Sequence, residues 1–473
     1  MTRVNHQPSN DPHTSTPTGA GPRGTSHEHD HDGPPRTVEE HLRAVTELIG
    51  DSPWSRREPL RSPLEQAAGR VLAQDVEAGL DLPPFTNSQM DGYALRSADT
   101  AAPSTLRGTP EHADATVGNR VTNSVTSSGT FESNGHRTTL RVGPTVPAGH
   151  APQPIEPGQA IPVMTGAALP PGADCVVPVE DVLPSGFHEP GSAVSVPAGQ
   201  LPGRFVRPAG DDVVRGTRLL RAGDRLTPLA VGACAALGLR DVLVRPPLRV
   251  GILTTGDEVV PPGSARGPAQ IFDSNATILR AALADAGVEV VMVRHVPDDD
   301  DALRALLAAD DDTRRPDLWV SSGGISEGAF EVVRRVLGAS GLAEFSEFLH
   351  VAMQPGGPQG LARVNGVPFV CFPGNPVSTW VSCEMFLRPA LSAVTGALSP
   401  RPEIRVPSAD RLDSLPERSR VVRAHWDGQV IRKIGGYGSH LLAVAAGVNA
   451  LVMLPPGQDE VSPGQEVTVR LLT

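Results

Sequence analysis

The chain has 473 residues, enough for about three or four domains at roughly 100–200 residues each. Its formal net charge of -12 argues against a general affinity for nucleic acid or for an anionic membrane. No apolar run approaches the roughly 20 residues needed to cross a bilayer, and the polar, His/Pro/Gly-rich start does not resemble a signal peptide. Abundant Gly and Pro, with 4% aromatic residues, predict many loops and some disordered sequence.

The cysteines are scattered along the chain and form no C-x-x-C pair; they are Cys175, Cys234, Cys371 and Cys383. This spacing argues against a disulfide framework or a zinc knuckle. A reducing compartment fits the pattern, so we expect a cytoplasmic protein.

Residues 1–36 lack the apolar side chains that a core needs, and they predict a disordered tail. His27, His29 and His31 alternate with acidic residues in this tail and are compatible with a bound metal. A solvated tail is the interpretation that composition favours.

The first ordered element is predicted to be a helix that starts at Thr37, because Thr37 and Glu40 match a capping box. Apolar residues follow at helical spacing, namely Leu42, Val45 and Ile49. A second helix is predicted from Ser62-Pro63 to Gly69, again from its start and stop signals.

Weak periodicity and many Thr, Ser, Gly and Asn residues mark the segment 97–142, which we interpret as a partly disordered insertion. Short apolar runs punctuated by Gly and Pro follow as far as residue 235 and predict small β subdomains. We therefore expect an N-terminal region over 37–248 that contains an inserted β subdomain at about 97–182.

From Arg249 the pattern changes to alternating strands and helices. Strands are predicted at 249–253, 288–296, 318–321 and 369–372, and helices at 275–286, 300–309, 328–337 and 376–394. Pro389 is expected to kink or split the last helix. This alternation predicts a doubly wound α/β domain over 249–397. Residues 403–473 return to short strands and turns, which predict a small C-terminal β domain with its last strand at Val467–Leu471.

Three polar motifs come directly after predicted strands of the α/β domain. They are 254–258 (TTGDE), 322–326 (SGGIS) and 373–376 (PGNP). In open α/β sheets, ligands bind where loops leave the carboxyl ends of the strands. Each motif by itself is compatible with an ordinary turn, but three on one sheet edge favour an anionic, phosphate-bearing ligand.

The residue types in these motifs suit such a ligand. Asn375 is placed to cap a helix with Pro376 as its first residue, and free amides at a helix start attract anions. Gly374 lets the backbone approach a ligand, and the Ser-Gly-Gly turn offers hydroxyls and unobstructed amides. Asp257 has no cation near it in sequence and suits a Mg²⁺ ion that bridges phosphate oxygens.

The same residues resemble the MoeA and gephyrin E-domain family over about residues 38–473. The motifs that carry the resemblance occur in the family's order: 83–94 (PPFTNSQMDGYA), 163–167 (VMTGA), 171–174 (PGAD), 255–258 (TGDE), 322–324 (SGG), 373–378 (PGNPVS) and 438–440 (GSH). So many ordered matches make the resemblance highly specific.

The resemblance implies the activity of a molybdopterin molybdenumtransferase. It also implies a chain of four domains that forms an elongated homodimer. The family transfers molybdate onto adenylylated molybdopterin with Mg²⁺ and releases AMP. Its active site lies between the α/β domain of one subunit and the N-terminal signature of the other. The resemblance also implies that the substrate comes from a molybdopterin adenylyltransferase and that the product goes to molybdoenzymes.

The resemblance assigns roles to individual residues. It implies acidic, metal-associated roles for Asp257 and Glu331. It also implies polar site roles for Asp91, Thr165 and Asp211, which the partner subunit or a neighbouring domain contributes, with Asp91 among the catalytic acids. The residues expected to bind the pterin and its phosphates are Thr255, Gly256, Ser322, Gly323, Gly324, Ser326, Gly374, Asn375 and Pro376. Those expected to bind the oxyanion are Ser378, Arg418 and Ser439.

The sequence departs from the family at two places. The family commonly has Lys-Pro-Gly-Lys-Pro where this chain has Gln354 and Gly357 in place of the lysines. Glu331 stands where the family usually has Asp, and Glu327 adds an acid. A site built for anions has thus lost two positive charges, which puts its affinity for molybdate in question.

Three functions compete. An active transferase is favoured by the intact Asp257 and Pro-Gly-Asn-Pro motif, and the missing lysines favour a degenerate paralogue that binds pterin or a partner without insertion chemistry. Gln can still donate hydrogen bonds, and an arginine elsewhere can replace a lysine in space, so we prefer the enzyme. The third alternative is the related adenylyltransferase, which shares the α/β domain. The N-terminal signature and the C-terminal β domain argue against it, because a stand-alone adenylyltransferase needs neither.

Overall fold

A computed structural model describes residues 35–101, 136–309, 315–326, 331–339 and 341–472. The chain divides into two compact units, Met1–Glu58 with Pro246–Thr473, and Pro59–Arg245. Nearly all of the predicted tail 1–36, most of the predicted insertion 97–142 and Glu327 lie outside the described residues. The α-helices of the described part are α1 (Val38–Gly50), α2 (Pro228–Ala236), α3 (Ser274–Ala284), α4 (Asp300–Ala308), α5 (Val332–Gly338), α6 (Pro376–Ser382) and α7 (Arg388–Thr395). None of them is long and apolar enough to cross a membrane.

The unit Pro59–Arg245 contains β1 (Leu60–Pro63), β2 (Val76–Glu77), β3 (Asn87–Ser88), β4 (Gly92–Leu95), β5 (Arg137–Val142), β6 (Gln159–Val163), β7 (Cys175–Pro178), β8 (Ala193–Pro197), β9 (Val206–Arg207), β10 (Arg218–Leu220) and β11 (Asp241–Val244). Its largest sheet has the order β7-β4-β6-β5-β8. Strand β4 is buried at every residue, and a Cβ on Gly92 would lie 2.1 Å from the Val177 carbonyl oxygen. Only glycine fits at this crossing, which explains its place in the 83–94 motif.

The prediction of a second helix from Ser62-Pro63 to Gly69 was wrong. Residues 60–63 form β1, which pairs antiparallel with β11, and a single 3₁₀ turn follows at Leu64–Gln66. The helix-start signals at Ser62-Pro63 and Glu65 are local, and they suit one short turn as well as a helix. Pairing with a strand nearly 180 residues later in the chain decided the outcome, and sequence periodicity carries no information about it.

The second unit is built on a six-stranded sheet of β15 (Glu289–Val296), β12 (Arg249–Thr255), β16 (Leu318–Ser322), β20 (Val367–Phe372), β19 (Pro358–Val364) and β17 (Ala343–His350), in that order. The first four strands are parallel, which confirms the α/β fold class. The last two pair antiparallel and were not predicted. Two short strands, β13 (Val259–Val260) and β14 (Ile271–Phe272), pair beside the sheet.

Helix α1 packs in the core of this α/β unit, although it begins the predicted N-terminal region. Its capping box at Thr37 and Glu40 is present as predicted. Val45 and Ile49 are fully buried and belong to the same hydrophobic cluster as Phe386 and Leu391 at the other end of the chain. The apolar stripe of α1 thus closes one face of the sheet.

The long helical stretch after residue 376 is divided, as Pro389 led us to expect. Helix α6 ends at Ser382, residues Cys383–Leu387 form a π-helical turn, and α7 begins at Arg388. Proline has no N–H to donate to the carbonyl four residues earlier, so the regular α-helical bonding cannot continue through this point.

The C-terminal sheet has the order β18 (Met353–Gln354), β22 (Ser419–Trp426), β24 (Ala450–Leu454), β25 (Glu466–Leu471) and β21 (Glu403–Pro407), with β23 (Ile431–Lys433) paired to β22. Strand β25 matches the predicted last strand. Strand β18 comes from the α/β part of the chain and ends at Gln354, so it ties the loop 354–358 to the C-terminal sheet.

Buried His41 makes the stability of the α/β core sensitive to acid. Its ring packs edge-on against Phe386 with centroids 4.6 Å apart, and neither ring nitrogen has a hydrogen-bond partner in the described residues. Burial, and then the Arg36 charge, lower the pKa of His41 to about 3. An unfolded histidine takes up a proton below about pH 6.5, whereas folded His41 does not. Acidification through that window therefore favours unfolding.

We predict that His41 accounts for about 2 kcal/mol of the unfolding free energy lost between pH 7 and pH 5. In His41→Leu this loss should shrink by about that amount, because leucine does not titrate. Urea unfolding of both proteins at the two pH values measures the difference. Equal pH dependence in the two proteins would show that the pKa of His41 is the same in the folded and unfolded states.

Candidate functional site

A cleft of about 1870 Å³ opens in the α/β unit at the carboxyl ends of the parallel strands β12, β16 and β20. All the predicted site residues that belong to this unit line it: Thr255, Gly256, Asp257, Ser322, Gly323, Gly324, Ser326, Glu331, Gly374, Asn375, Pro376, Ser378, Arg418 and Ser439. Residues from the C-terminal domain complete one wall. The three sheet-edge motifs and the 438–440 motif are therefore brought to one place.

The Ser-Gly-Gly turn packs directly on the loop after β12. Gly323 and Gly324 have positive φ values of +96° and +69°, which L side chains rarely adopt. A Cβ at either position would lie 3.0 Å from the Thr255 hydroxyl oxygen. The glycines thus allow two loops to touch, and the Gly323 N–H donates to the Phe372 carbonyl oxygen at 3.0 Å.

The start of helix α6 differs from its prediction in one detail. Asn375 is the residue before the helix and Pro376 is the first helical residue, but the Asn375 side chain makes no capping hydrogen bond. The Val377 N–H donates to the Ser439 carbonyl oxygen at 3.2 Å, which joins α6 to the C-terminal wall. Pro376 has no N–H, and the Thr379 N–H donates to the Asn375 carbonyl oxygen at 2.9 Å. The Ser378 N–H is therefore the amide of the first turn from which an anionic ligand can accept.

Asn275, near the start of α3, is a site residue that the sequence did not identify. Its Nδ2 donates to the Ser322 hydroxyl at 2.9 Å and to the Gly374 carbonyl oxygen at 2.7 Å. One side chain therefore holds the Ser-Gly-Gly and Pro-Gly-Asn-Pro loops at a set spacing. The available signal was its position just after Asp273, which caps α3.

Carboxylates crowd the end of the cleft near Asp257. The Asp257 carboxylate accepts the Asp298 N–H at 3.1 Å, and Glu258 and Glu331 line the same region. Burial, followed by the charges of Asp257 and Glu258, raises the pKa of Asp298. In the described residues no three His, Cys, Asp or Glu side chains are placed to hold a metal ion by themselves.

We did not predict Glu258 and Asp298 as site residues, because in the sequence each looks like an ordinary solvated acid. Asp298 opens a run of four aspartates that the sequence assigned to the start of a helix. Its position after β15, the strand beside β12, was the signal that could have identified it. The predicted acids Asp257 and Glu331 both line the cleft.

Few cations balance these acids. Among the described lining residues, Arg418 is the only arginine or lysine, against six acids: Asp257, Glu258, Asp273, Asp298, Glu331 and Glu417. Gln354 and Gly357, which replace the family's lysines, also line the cleft. Gly357 does not have a positive φ, and a Cβ there would lie 3.3 Å from the Met353 carbonyl oxygen. A side chain at residue 357 therefore requires this carbonyl group to shift by a few tenths of an ångström.

The other predicted site residues belong to the unit Pro59–Arg245. One Asp91 carboxylate oxygen accepts from the Thr165 N–H at 2.7 Å and from the Thr165 hydroxyl at 2.8 Å. These hydrogen bonds lower the pKa of Asp91 and hold the carboxylate ionised. The Asp211 N–H donates to the Pro208 carbonyl oxygen in a turn. Within the described residues, hydrogen bonds join Asp91 to Thr165 but do not join either residue to Asp211.

Three family models match the chain along almost its whole described length. "MoeA N-terminal region (domain I and II)" matches residues 36–238, "Probable molybdopterin binding domain" matches 251–393 and "MoeA C-terminal region (domain IV)" matches 405–472. The second of these contains the parallel strands that form the cleft.

Relatives of the chain cover nearly all of it. "Molybdopterin molybdenumtransferase 2" of Mycobacterium tuberculosis (strain ATCC 25618 / H37Rv) is 38% identical over 446 residues, which are 93% of this chain and 100% of that protein. "Molybdopterin molybdenumtransferase" of Synechococcus elongatus is 35% identical over 426 residues, 87% of this chain and 94% of that protein. The solved molybdopterin biosynthesis MoeA protein from Pyrococcus horikosii is 26% identical, with a TM-score of 0.70 over 91% of this chain and 98% of that one. The chain belongs to the MoeA family.

We predict that Asn275→Ala lowers the free energy of unfolding by about 1–2 kcal/mol, because two hydrogen bonds are lost and partly buried groups are left unpaired. Ligand affinity should fall as well, since the two loops would no longer be held at their spacing. Urea unfolding measures the first effect. A variant with the stability and the ligand affinity of wild type would show that the Asn275 bridge contributes nothing to the site.

Proposed function

We propose that this protein is a molybdenum insertase, which transfers molybdenum from molybdate onto molybdopterin. The observation that carries the proposal is the cleft itself, where the predicted ligand-binding residues from four separate motifs meet. The names of relatives that are 34–38% identical over most of the chain support the same activity. They also count against a degenerate paralogue, which the loss of the lysine pair alone had favoured.

The substrate in this proposal is adenylylated molybdopterin, and AMP leaves when molybdenum enters the dithiolene. Both reactants are anions that repel each other. The Ser378 N–H at the start of α6 and the backbone of Gly324 are placed to bind phosphate oxygens, and the Ser378 and Ser439 hydroxyls to bind molybdate. Holding the reactants together supplies much of the rate, because the pterin sulfurs and the metal form the new bonds themselves.

Mg²⁺ belongs to the proposal because of the charge of the cleft. Mg²⁺ usually takes one or two carboxylates, several waters and substrate phosphates. Asp257 and Glu331 fit that donor set, and Asp298 lies beside Asp257. When bound, Mg²⁺ would offset the negative charge of phosphate and carboxylate groups that face each other. Asp257, Glu331 and the neighbouring acids would hold the ion, and the backbone amides would orient the pterin phosphates.

Reconstitution tests the activity directly. Purified protein, adenylylated molybdopterin, Mg²⁺ and molybdate should activate a cofactor-free molybdoenzyme and release AMP. Activation that is unchanged when the cleft residues are substituted, or no AMP release at any molybdate concentration, would reject the insertase. Stoichiometric pterin binding without AMP release would instead support the degenerate paralogue.

We predict that Asp257→Asn abolishes insertion or raises the half-saturating Mg²⁺ concentration at least about tenfold, because an anionic ligand is lost. The amide oxygen can still accept the Asp298 N–H, so the fold should survive. Asp299→Asn is the matched control, since Asp299 caps α4 without lining the cleft and Asn caps equally well. Equal Mg²⁺ titrations for Asp257→Asn and wild type would remove Asp257 from the metal site.

The lysine positions offer a gain-of-function prediction. A cation a few ångströms from a dianion is worth on the order of 1–4 kcal/mol, or about ten- to a thousandfold in affinity. Gln354→Lys with Gly357→Lys should therefore lower the molybdate concentration that gives half-maximal insertion. Circular dichroism confirms folding. An unchanged half-maximal value in a folded double variant would mean that another cation already serves this role.

We also propose a homodimer in which Asp91, Thr165 and Asp211 of one subunit serve the cleft of the other. The support is that these residues belong to the unit Pro59–Arg245, whereas the cleft lies in the other unit. In addition, the hydrogen bonds from Thr165 hold Asp91 ionised. We predict that inactive Asp91→Asn and inactive Asp257→Asn proteins regain up to about a quarter of wild-type activity when refolded together, because a mixed dimer has one intact site. No recovery from mixed dimers that light scattering detects would reject the shared site.

A cytoplasmic location and handover partners complete the proposal. All four cysteines are buried free thiols, which persist in a reducing compartment. A molybdopterin adenylyltransferase would supply the adenylylated pterin, and molybdoenzymes that lack their cofactor would receive the product.

A further inference from the structure

Arg423 carries a charge in the interior of the protein. It lies in β22 and is 3% exposed. Along this strand Val422 and Ala424 belong to the core of the C-terminal domain, whereas Val421 belongs to the core of the α/β domain. Because side chains alternate along a strand, Arg423 shares the face of Val421 and points toward the α/β side.

The Arg423 guanidinium has almost no partners. Nη2 donates to the Gly436 carbonyl oxygen, and Nη1 has no hydrogen-bond partner in the described residues. Arg423 also forms no ion pair with any carboxylate among those residues. Burial lowers the pKa of Arg423, but an arginine stays protonated inside a protein. An unpaired buried cation destabilises a fold, so packing alone gives no reason for its presence.

Arg423 supports the loop that forms one wall of the cleft. Gly436 is followed by Tyr437, Gly438, Ser439 and His440, all of which line the cleft. The Ser439 carbonyl oxygen in turn accepts the Val377 N–H at the start of α6. The positive charge of Arg423 therefore lies directly behind the loop that carries a predicted oxyanion-binding hydroxyl.

Two further cations lie against the same loop. The Arg420 guanidinium is 3.9 Å from the centre of the Tyr437 ring, and the Lys433 ammonium is 4.9 Å from it. Neither forms an ion pair within the described residues. We call Arg420, Arg423 and Lys433 the cationic layer. The loop that these cations contact lines a cleft in which Arg418 is the only lining arginine or lysine described. Gln354 and Gly357 line the same cleft at the positions where the family commonly has lysines.

We propose that Arg423, as the buried member of the cationic layer, supplies positive charge from behind the 436–440 loop and thereby retains molybdate in a cleft without the lysine pair. The inference rests on the proposed function. Arg423 acts through the loop and the field it creates, so it is a positioning residue and does not touch the reacting atoms. A buried charge is screened little by solvent and salt, so it acts on the cleft at longer range than a surface lysine.

The test measures molybdate binding by calorimetry on the intact protein, without pterin. Arg423→Gln keeps a donor for the Gly436 carbonyl and removes the charge, whereas Arg423→Lys keeps the charge. We expect about tenfold weaker binding in Arg423→Gln and wild-type binding within about threefold in Arg423→Lys. Arg423→Met, the second neutral variant, should show the same loss at an unchanged or higher melting temperature, because an unpaired buried charge is removed.

Arg388→Met is the matched control. Arg388 is also buried but is paired with Asp285 at 2.9 Å, and it does not line the cleft. We expect this variant to melt at a lower temperature and to bind molybdate normally. Arg423→Met should weaken molybdate binding without lowering the melting temperature, and Arg388→Met should do the reverse. This contrast would separate an electrostatic role from a structural one.

Three results would overturn the inference. They are wild-type affinity in the folded neutral variants, weaker binding that Arg423→Lys does not restore, and no molybdate binding by the wild-type protein. The proposed function fails separately, if wild-type protein binds molybdate but releases no AMP from adenylylated molybdopterin.

Discussion

Parallel pairing of β12, β16 and β20 is the constraint on which the site depends. Thr254 pairs with Ser322, and Ser322 pairs with Phe372, so the three strands end at the same level. In a parallel sheet all the following loops must emerge at that one edge. Motifs that are separated by 50 to 70 residues in the chain therefore become neighbours without any contact being specified between them. Asn275 then sets their spacing with two hydrogen bonds.

The charge of the cleft is the second feature that determines what the site can bind. Its acids suit a divalent cation, whereas the proposed substrates are anions. Gln354 and Gly357 stand where the resemblance led us to expect lysines. The structure offers three kinds of positive potential in their place: backbone amides at glycine turns, the start of α6, and the cationic layer around Tyr437. Amides and buried guanidinium groups are held by the fold, so they need no reorganisation when an anion arrives. A flexible surface lysine would lose side-chain entropy on binding.

The antiparallel addition to the sheet explains how distant parts of the chain share this cleft. Strands β17 and β19 carry the segment 351–357 between them, and β18 inside that segment joins the C-terminal sheet. The loop at Gln354 is thus held from both sides. A polar side chain at residue 354 or a new one at residue 357 would project from a backbone that two sheets restrain.

The sequence by itself determined the family, the alternating α/β pattern, the capping box at Thr37, the division of the long helix near Pro389 and the residues of the sheet-edge motifs. These depend on local chemistry: periodicity, caps, glycine and proline. Only the tertiary structure decided that residues 60–63 form a strand, that β17 and β19 extend the sheet, and that α1 packs with Phe386. It also brought Asn275, Asp298 and Arg423 to the cleft or behind its wall. Such contacts join residues far apart in the chain, and their energy comes from pairing and burial, which a pattern read along one segment cannot contain.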